Sequence, residues 1–469
     1  MLFNSLQFVF FFIVVTLAYF SLPHRGRIWL LLLASCYFYA VFQPIYILIL
    51  FVTIIVDYYA GIWIENAHGS RRKWLLVLSL ISNIGFLAYF KYYNFFVENI
   101  NNVFLHLGSS AQLELLKILL PIGLSFHTFQ AMSYTIEVYR GNEKAEKDFA
   151  IYALYVMFYP QLVAGPIERP QNVLWQFHKK FEYDFENLKA GLMRMAWGMF
   201  KKVVIADRLA MVVDYSYDNP YDHNGLTLLV ATIFFTFQIY CDFSGYSDIA
   251  IGAARVMGFK LMENFEAPYF AKSINEFWRR WHISLSGWFR DYLYIPLGGN
   301  RVGEFRKYFN LFFVFMMSGL WHGAAWTYIV WGALHGIYLV LAQIRKKYTP
   351  FNAENYFSKN IINVFNLAFT FLLVMLTWVF FRAKGMSNAK TILSKILHIN
   401  TYSSVATPFS INEMMFCWFL IAVLLLKDKF MMQIRTHHTT QFYLKFTVLL
   451  VLCYFLGVFT SNQFIYFQF

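Results

Sequence analysis

From Tyr308 to Ala342 the chain runs 35 residues without an Asp, Glu, Lys or Arg. That stretch is the extreme case of a pattern filling the sequence. Apolar runs at 5–22, 28–43, 45–64, 74–92 and onward to 442–461 make roughly eleven to thirteen hydrophobic segments. Many reach the ~18–20 residues that cross a ~30 Å hydrocarbon core. Hydrophobic residues make up 59% of the chain and charged residues 14%, where a soluble domain carries about 25% charged residues. A soluble protein of two or three domains is excluded. The expected fold is an all-α polytopic integral membrane protein, with about 11 transmembrane helices plus re-entrant and interfacial helices.

The first run, Phe8 to Phe20, has no basic residues before it and no small-residue cleavage site, so it reads as a retained first span. Cys36, Cys241, Cys417 and Cys453 all sit in apolar stretches without metal-ligand spacing and read as packing residues. The net charge of +13 gathers in short segments read as cytoplasmic loops: His24 to Arg27, Arg71 to Lys73, Lys201-Lys202 and Arg345 to Lys347. Counting back from the first two clusters puts the N-terminus outside. Because the basic residues are dispersed and form no single patch, nucleic-acid binding is not expected.

No short-period repeat, low-complexity tract or linker divides the chain. It reads as one domain over 1–469, with a motif-bearing core at about 120–345 and scaffold spans at 1–119 and 346–469. The weakly hydrophobic stretches are 137–149, 166–186, 214–224, 259–307, 345–360 and 383–411. The paired broken helices of an inverted-repeat transporter are not visible.

As one helix, the charge-free stretch would be ~52 Å long, too long for the hydrocarbon core. Two short helices meeting inside the membrane at Gly319 to Gly323 resolve this, and they place Trp321 and His322 at the break. Irregular backbone at that depth requires burial in protein or a wet cavity. An intramembrane imidazole is costly without a partner, and its ordinary pKa near 6.5 suits proton transfer. Flanking glycines would let a substrate approach closely. A hydrogen-bonded structural histidine fits the residues equally well. His335, thirteen residues on, turns ~220° around a continuous helix and would not share that face; a structural role suits it better. Neither histidine lies in a zinc pattern, so no metal is expected.

Residues 275–300 are the densest aromatic and basic mixture in the chain. Trp278, Trp281, Leu285, Trp288 and Tyr292 recur at helical spacing, as do Asn275, Arg279, His282, Ser286 and Arg290. One amphipathic helix is expected, ended by Pro296-Leu297-Gly298-Gly299. An interfacial helix with tryptophans at headgroup depth accounts for the aromatic face. The polar stripe suits an entrance that holds a phosphate-bearing donor through charge-assisted hydrogen bonds. Arg280 and Asp291 belong to the same block. Gln238, Asp242 and Tyr246, at four-residue steps near the end of an apolar run, and the proline-bounded turn Pro160 to Pro170 fit either helix-end charge pairing or substrate contact.

These stretches resemble the membrane-bound O-acyltransferase superfamily, and within it the bacterial alginate O-acetylation branch. The likeness rests on PIGLSFHTFQ from Pro121, FYPQLVAGPIERP from Phe158, YCDFSGYSDIAIG from Tyr240, the block from Asn264 to Arg301, and GLWHGAAWTYIVWGALHG from Gly319. It implies a multi-span fold with a funnel-like core, His322 as the essential residue and His282 as the second family position. It also implies acyl transfer from a cytoplasmic thioester, acetyl-CoA or another acyl thioester, with no bound cofactor. The acyl group would cross the bacterial cytoplasmic membrane to an extracytoplasmic polysaccharide hydroxyl, through a periplasmic or membrane-tethered acyltransferase partner. In that setting His322 would accept the proton of the attacking hydroxyl, and His282 would orient the donor or hydrogen-bond the developing oxyanion. Arg279, Arg280, Trp281, Ser286, Trp288, Arg290, Asp291, Gln238, Asp242 and Trp321 are the candidate donor- or substrate-binding residues. A D-alanyl exporter of the same superfamily and a noncatalytic flippase are the competing readings.

Overall fold

The computed structural model describes residues 1–117, 120–348, 356–399, 404–430, 438–459 and 464–465. Among them every element is helical and none is a strand. Among the described residues, six helices are long and apolar enough to cross a bilayer: Tyr46–Asn66, Gly69–His106, Gly225–Val256, Trp326–Tyr348, Asn360–Arg382 and Thr439–Leu456, with Leu6–Ser21 a shorter apolar helix. The larger number expected from the sequence also counted segments such as those now seen as His24–Ala40 and Ile411–Phe430, which are shorter or carry charges at their ends. The stretches 345–360 and 383–411 and the end of 442–461 lie partly outside the described residues.

By internal contacts the chain divides into two compact units, Met1–Met195 with Ser247–Met262, and Ala196–Tyr246 with Glu263–Phe469. Two of the three boundaries fall inside the Phe185–Met199 and Gly225–Val256 helices, and the third follows Met262.

In the first unit, Leu124–Arg140 is buried along almost its whole length and is bracketed by left-handed Gly123 and Gly141. One buried polar cluster inside this unit is matched side chain to side chain, as an apolar surround favours. The Asp57 carboxylate accepts from Ser79 Oγ at 2.6 Å and from Asn83 Nδ2 at 2.7 Å, and Ser79 Oγ also lies 3.0 Å from Thr135 Oγ1. The turn from Phe158 to Glu168 is buried throughout. Other elements and its own side chains tie it down: Tyr159 N–H donates to Ser35 Oγ at 3.0 Å, and Gln161 Nε2 donates to the Tyr155 carbonyl at 2.8 Å. Glu168, at the end of this turn, accepts the Met262 backbone N–H at 2.5 Å. Burial pushes its carboxyl up to about 7, against the opposing pull of that hydrogen bond.

The second unit corrects the reading of Lys201-Lys202 as a cytoplasmic loop. Both lie in a π-helical segment, Phe200–Ala206, continuous with the helices on either side, and both are buried. The i→i+5 pattern widens the helix, and the two adjacent lysines face the interior together. Lys202 Nζ lies 2.5 Å from Asp242 Oδ1 and 2.8 Å from Asp207 Oδ1, while Lys201 Nζ donates to Ser244 Oγ at 2.8 Å. Charges at that depth persist because they are paired. They report on packing, and topology has to be read from the other basic clusters.

Candidate active site

The charge-free stretch folds as an antiparallel pair of helices, Glu304–His322 and Trp326–Tyr348. Each is longer than expected because it extends past the charge-free stretch into charged residues, Glu304 to Lys307 at one end and Arg345 to Lys347 at the other. The break is confined to 323–325, starting four residues after the expected one at Gly319 to Gly323. Its glycines do not leave room for a substrate as expected; the partner helix fills that space. A Cβ at Gly319 would lie 2.2 Å from the Tyr328 carbonyl oxygen, and one at Gly323 2.1 Å from the Tyr328 ring; on the facing helix, one at Gly332 would lie 2.3 Å from the Phe315 carbonyl oxygen. Small residues here let two backbones cross closely, the usual device for packing helices in lipid.

His322 is the last residue of the first helix and is 4% exposed. Three aromatic rings surround it: Trp321 at 5.0 Å between centroids, Trp331 at 5.1 Å and Phe381 at 5.4 Å. The His282 ring lies 6.3 Å from it and is fully buried. Trp321 is also 6.3 Å from His282. The fold therefore brings together three residues singled out in the sequence, His322, His282 and Trp321. Two imidazoles this close can share the protons and heavy atoms of one reaction.

The block around His282 is not the continuous amphipathic helix expected. Ile274–Arg280 and Ile283–Phe289 are separate helices, and a short π-helical turn, Arg290–Tyr294, precedes Pro296. His282 stands at the break with φ 44° and ψ 54°. The polar stripe splits there. His282 turns into the protein, whereas Arg279 and Arg290 stay exposed. Arg290 pairs with Asp291 at 2.7 Å, and Arg280 pairs with Glu276 at 2.7 Å. The tryptophans form no exposed aromatic face either, since Trp278, Trp281 and Trp288 are all buried. Trp281 stacks on Phe277 at 5.5 Å and lies 5.0 Å from Trp378, which in turn lies 5.7 Å from Trp331. Ser286 is half-buried, its Oγ 3.4 Å from the Trp281 carbonyl. Asp242 belongs to the buried lysine cluster and accepts the Ile465 N–H at 2.7 Å, while Gln238 is buried on the same Gly225–Val256 helix.

His335 is held structurally. Its Nδ1 accepts from Trp278 Nε1–H at 3.3 Å, which leaves Nε2–H to donate to Thr377 Oγ1 at 3.0 Å, and the Thr377 hydroxyl donates to the Val374 carbonyl at 2.7 Å. Sequence reasoning missed Trp331, Phe381 and Asn264, all of which touch the histidine pair. Trp331 and Phe381 sit in apolar runs indistinguishable from lipid-facing ones. Asn264 carried a weak signal, a lone amide opening the NFEAPYF stretch.

The MBOAT, membrane-bound O-acyltransferase, family profile matches residues 75–383. The chain is 42% identical over 391 residues to a probable alginate O-acetylase of Pseudomonas syringae pv. tomato, covering 82% of this chain and 73% of that protein. It is 37% identical over 438 residues to a peptidoglycan O-acetyltransferase of Helicobacter pylori, covering 86% and 81%. A teichoic acid D-alanyltransferase of Streptococcus thermophilus is 31% identical over 253 residues, 49% of this chain and 58% of that protein.

Proposed function

From the premise that the chain belongs to the membrane-bound O-acyltransferase family, and is a multi-pass membrane O-acyltransferase, we propose that it takes an acetyl group from cytoplasmic acetyl-CoA and passes it across the bacterial cytoplasmic membrane. The destination is a hydroxyl of an extracytoplasmic polysaccharide, reached through a periplasmic or membrane-tethered acyltransferase partner. The N-terminus lies outside. The observation carrying this reading is the buried pair His322 and His282, 6.3 Å apart among aromatic rings. Acetyl is favoured over D-alanyl because the glycan O-acetylating relatives match over most of the chain, and the D-alanyl relative over 49% of it.

In the proposed step, the hydroxyl oxygen attacks the thioester carbonyl carbon while a nitrogen of His322 takes the hydroxyl proton. The new C–O bond forms as the C–S bond breaks, and His322 returns the proton to the departing thiolate. Trp321, Trp331 and Phe381 exclude water, which limits hydrolysis of the thioester. Attack by His322 itself, forming an acyl-imidazole, is the same assignment with one added intermediate.

Membranes carrying the chain are given acetyl-CoA labelled in the acetyl group, and label bound to protein or glycan is counted. Wild-type membranes should retain it, and membranes with folded His322→Ala protein should not. Full labelling by that variant removes the catalytic assignment. Labelling by neither protein favours a flippase that carries groups without chemistry.

A further inference from the structure

Two non-glycine residues have positive φ among the described residues, Ala267 and His282. Both lie where the segment after Met262 pairs with the break between the helices Ile274–Arg280 and Ile283–Phe289. Glu266 N–H donates to the Arg280 carbonyl at 2.9 Å, and Ile283 N–H donates to the Asn264 carbonyl at 3.0 Å. A left-handed histidine costs about 1–2 kcal/mol, so the surroundings must hold it there. Much of that hold comes from one atom. Asn264 Oδ1 lies 3.2 Å from His282 Nδ1, 3.2 Å from Ser284 N and 2.9 Å from Ser284 Oγ.

The three contacts together determine the protonation pattern. The Ser284 backbone N–H can only donate, so the Asn264 atom facing it is the carbonyl oxygen and not the amide nitrogen. That oxygen can only accept. His282 Nδ1 must therefore carry a proton to make its contact, and in the neutral imidazole Nε2 then bears the lone pair. Groups facing the ring include Asn264, His322 at 6.3 Å between centroids, and the rings of Trp321, Phe243 at 4.6 Å and Phe265 at 6.5 Å.

We propose that Asn264 is a positioning residue for the reaction, holding His282 at the helix break in the Nδ1–H tautomer so that its Nε2 accepts a hydrogen bond or proton at the reacting centre. This rests on the assignment of His322 and His282 to acyl transfer. It replaces the oxyanion-donor role for His282, because a neutral imidazole with its proton on Nδ1 has nothing to donate from Nε2. An acceptor beside His322 can take a hydrogen bond from the attacking hydroxyl, or from His322 once that ring has gained the hydroxyl proton.

The test compares wild type, Asn264→Ala, Asn264→Asp and His322→Ala as full chains in membranes, following transfer of labelled acetyl from acetyl-CoA across a pH series. Asn264→Ala should lower kcat about 10- to 100-fold, the scale of losing a group that orients a functional histidine, with KM for acetyl-CoA little changed. Asn264→Asp keeps the acceptor oxygen, so it should restore most of the rate. Its negative charge favours the imidazolium, so the acid limb of its pH profile should move to higher pH. An acid limb at the wild-type position or lower in Asn264→Asp overturns the acceptor role. A wild-type rate for Asn264→Ala overturns the positioning role. Should Asn264→Ala fail to fold, the Asn264→Asp profile decides alone. If His322→Ala remains fully active, the underlying site assignment has failed instead, a result distinct from either of these.

Discussion

The indole of Trp331 stands edge-on to the imidazole of His322, with centroids 5.1 Å apart and planes at 89°. Trp331 is fully buried and also lies 5.0 Å from the His335 ring. It therefore links a histidine assigned to chemistry with one whose two nitrogens are both tied to the fold. Trp331→Ala should remove the wall that orients His322 and admit water beside it. Labelled acetyl transfer should fall at least about tenfold, the scale for a displaced catalytic geometry, with a loss of about 3–5 kcal/mol in stability from the cavity. Trp331→Phe should recover most of both. Transfer rates and thermal midpoints in detergent check the pair, and an active, stable alanine variant contradicts the packing account.

The exposed arginines separate recognition from chemistry. Arg280 and Arg290 each have a carboxylate partner within 2.7 Å, while Arg279 is exposed on the same block. A thioester donor bearing phosphates would meet Arg279 at the surface. Arg279→Gln should raise KM for acetyl-CoA severalfold and leave kcat near wild type, with the difference shrinking at high salt as surface charges are screened. An unchanged KM at low salt would remove the anion-entrance role from this block.

The fold class was legible because apolar runs of membrane length leave few other solutions. The hairpin break near His322 was legible for a related reason, since 35 charge-free residues fit neither one span nor two. The left-handed backbone of His282 was not. Its Trp and polar periodicities continue through the break, so pattern alone extends a helix that the pairing of Asn264 with Ile283 and Ser284 interrupts. The lysine pair was misplaced because adjacent charges ordinarily mark a loop. Recognising Lys202 as interior requires knowing that Asp207 and Asp242, 5 and 40 residues away, converge on its ammonium group. Trp331 and Phe381 carried no signal at all, since an aromatic ring beside a catalytic group and one facing lipid look alike in sequence.

Glu168 should make the first unit's stability depend on pH. Its folded carboxyl titrates at about 7 against an ordinary 4.5, because burial disfavours the anion. Between those values the folded state holds a proton that the unfolded state has released. Stability is therefore full below the ordinary value and declines as pH rises toward 7, by about 3 kcal/mol in total. Glu168→Gln keeps an acceptor for the Met262 N–H and has nothing to ionise. Thermal midpoints in detergent should fall from pH 5 to pH 8 for wild type and stay nearly level for the variant. Equal slopes would place the titration elsewhere.

Lys202 offers the sharpest test of how the second unit is held. Its ammonium lies within 2.8 Å of two carboxylates, Asp207 and Asp242, and all three side chains are at most 3% exposed. Lys202→Met fills nearly the same volume but strands two carboxylates in an apolar interior, costing about 3–5 kcal/mol. Adding Asp207→Asn and Asp242→Asn removes both charges. It keeps an amide oxygen to accept the Ile465 N–H that Asp242 now accepts, so the triple variant should regain most of the lost stability. A merely steric role for Lys202 would give the opposite order, with the single variant close to wild type and the triple variant worse. Thermal midpoints of the three proteins in one detergent separate the two accounts.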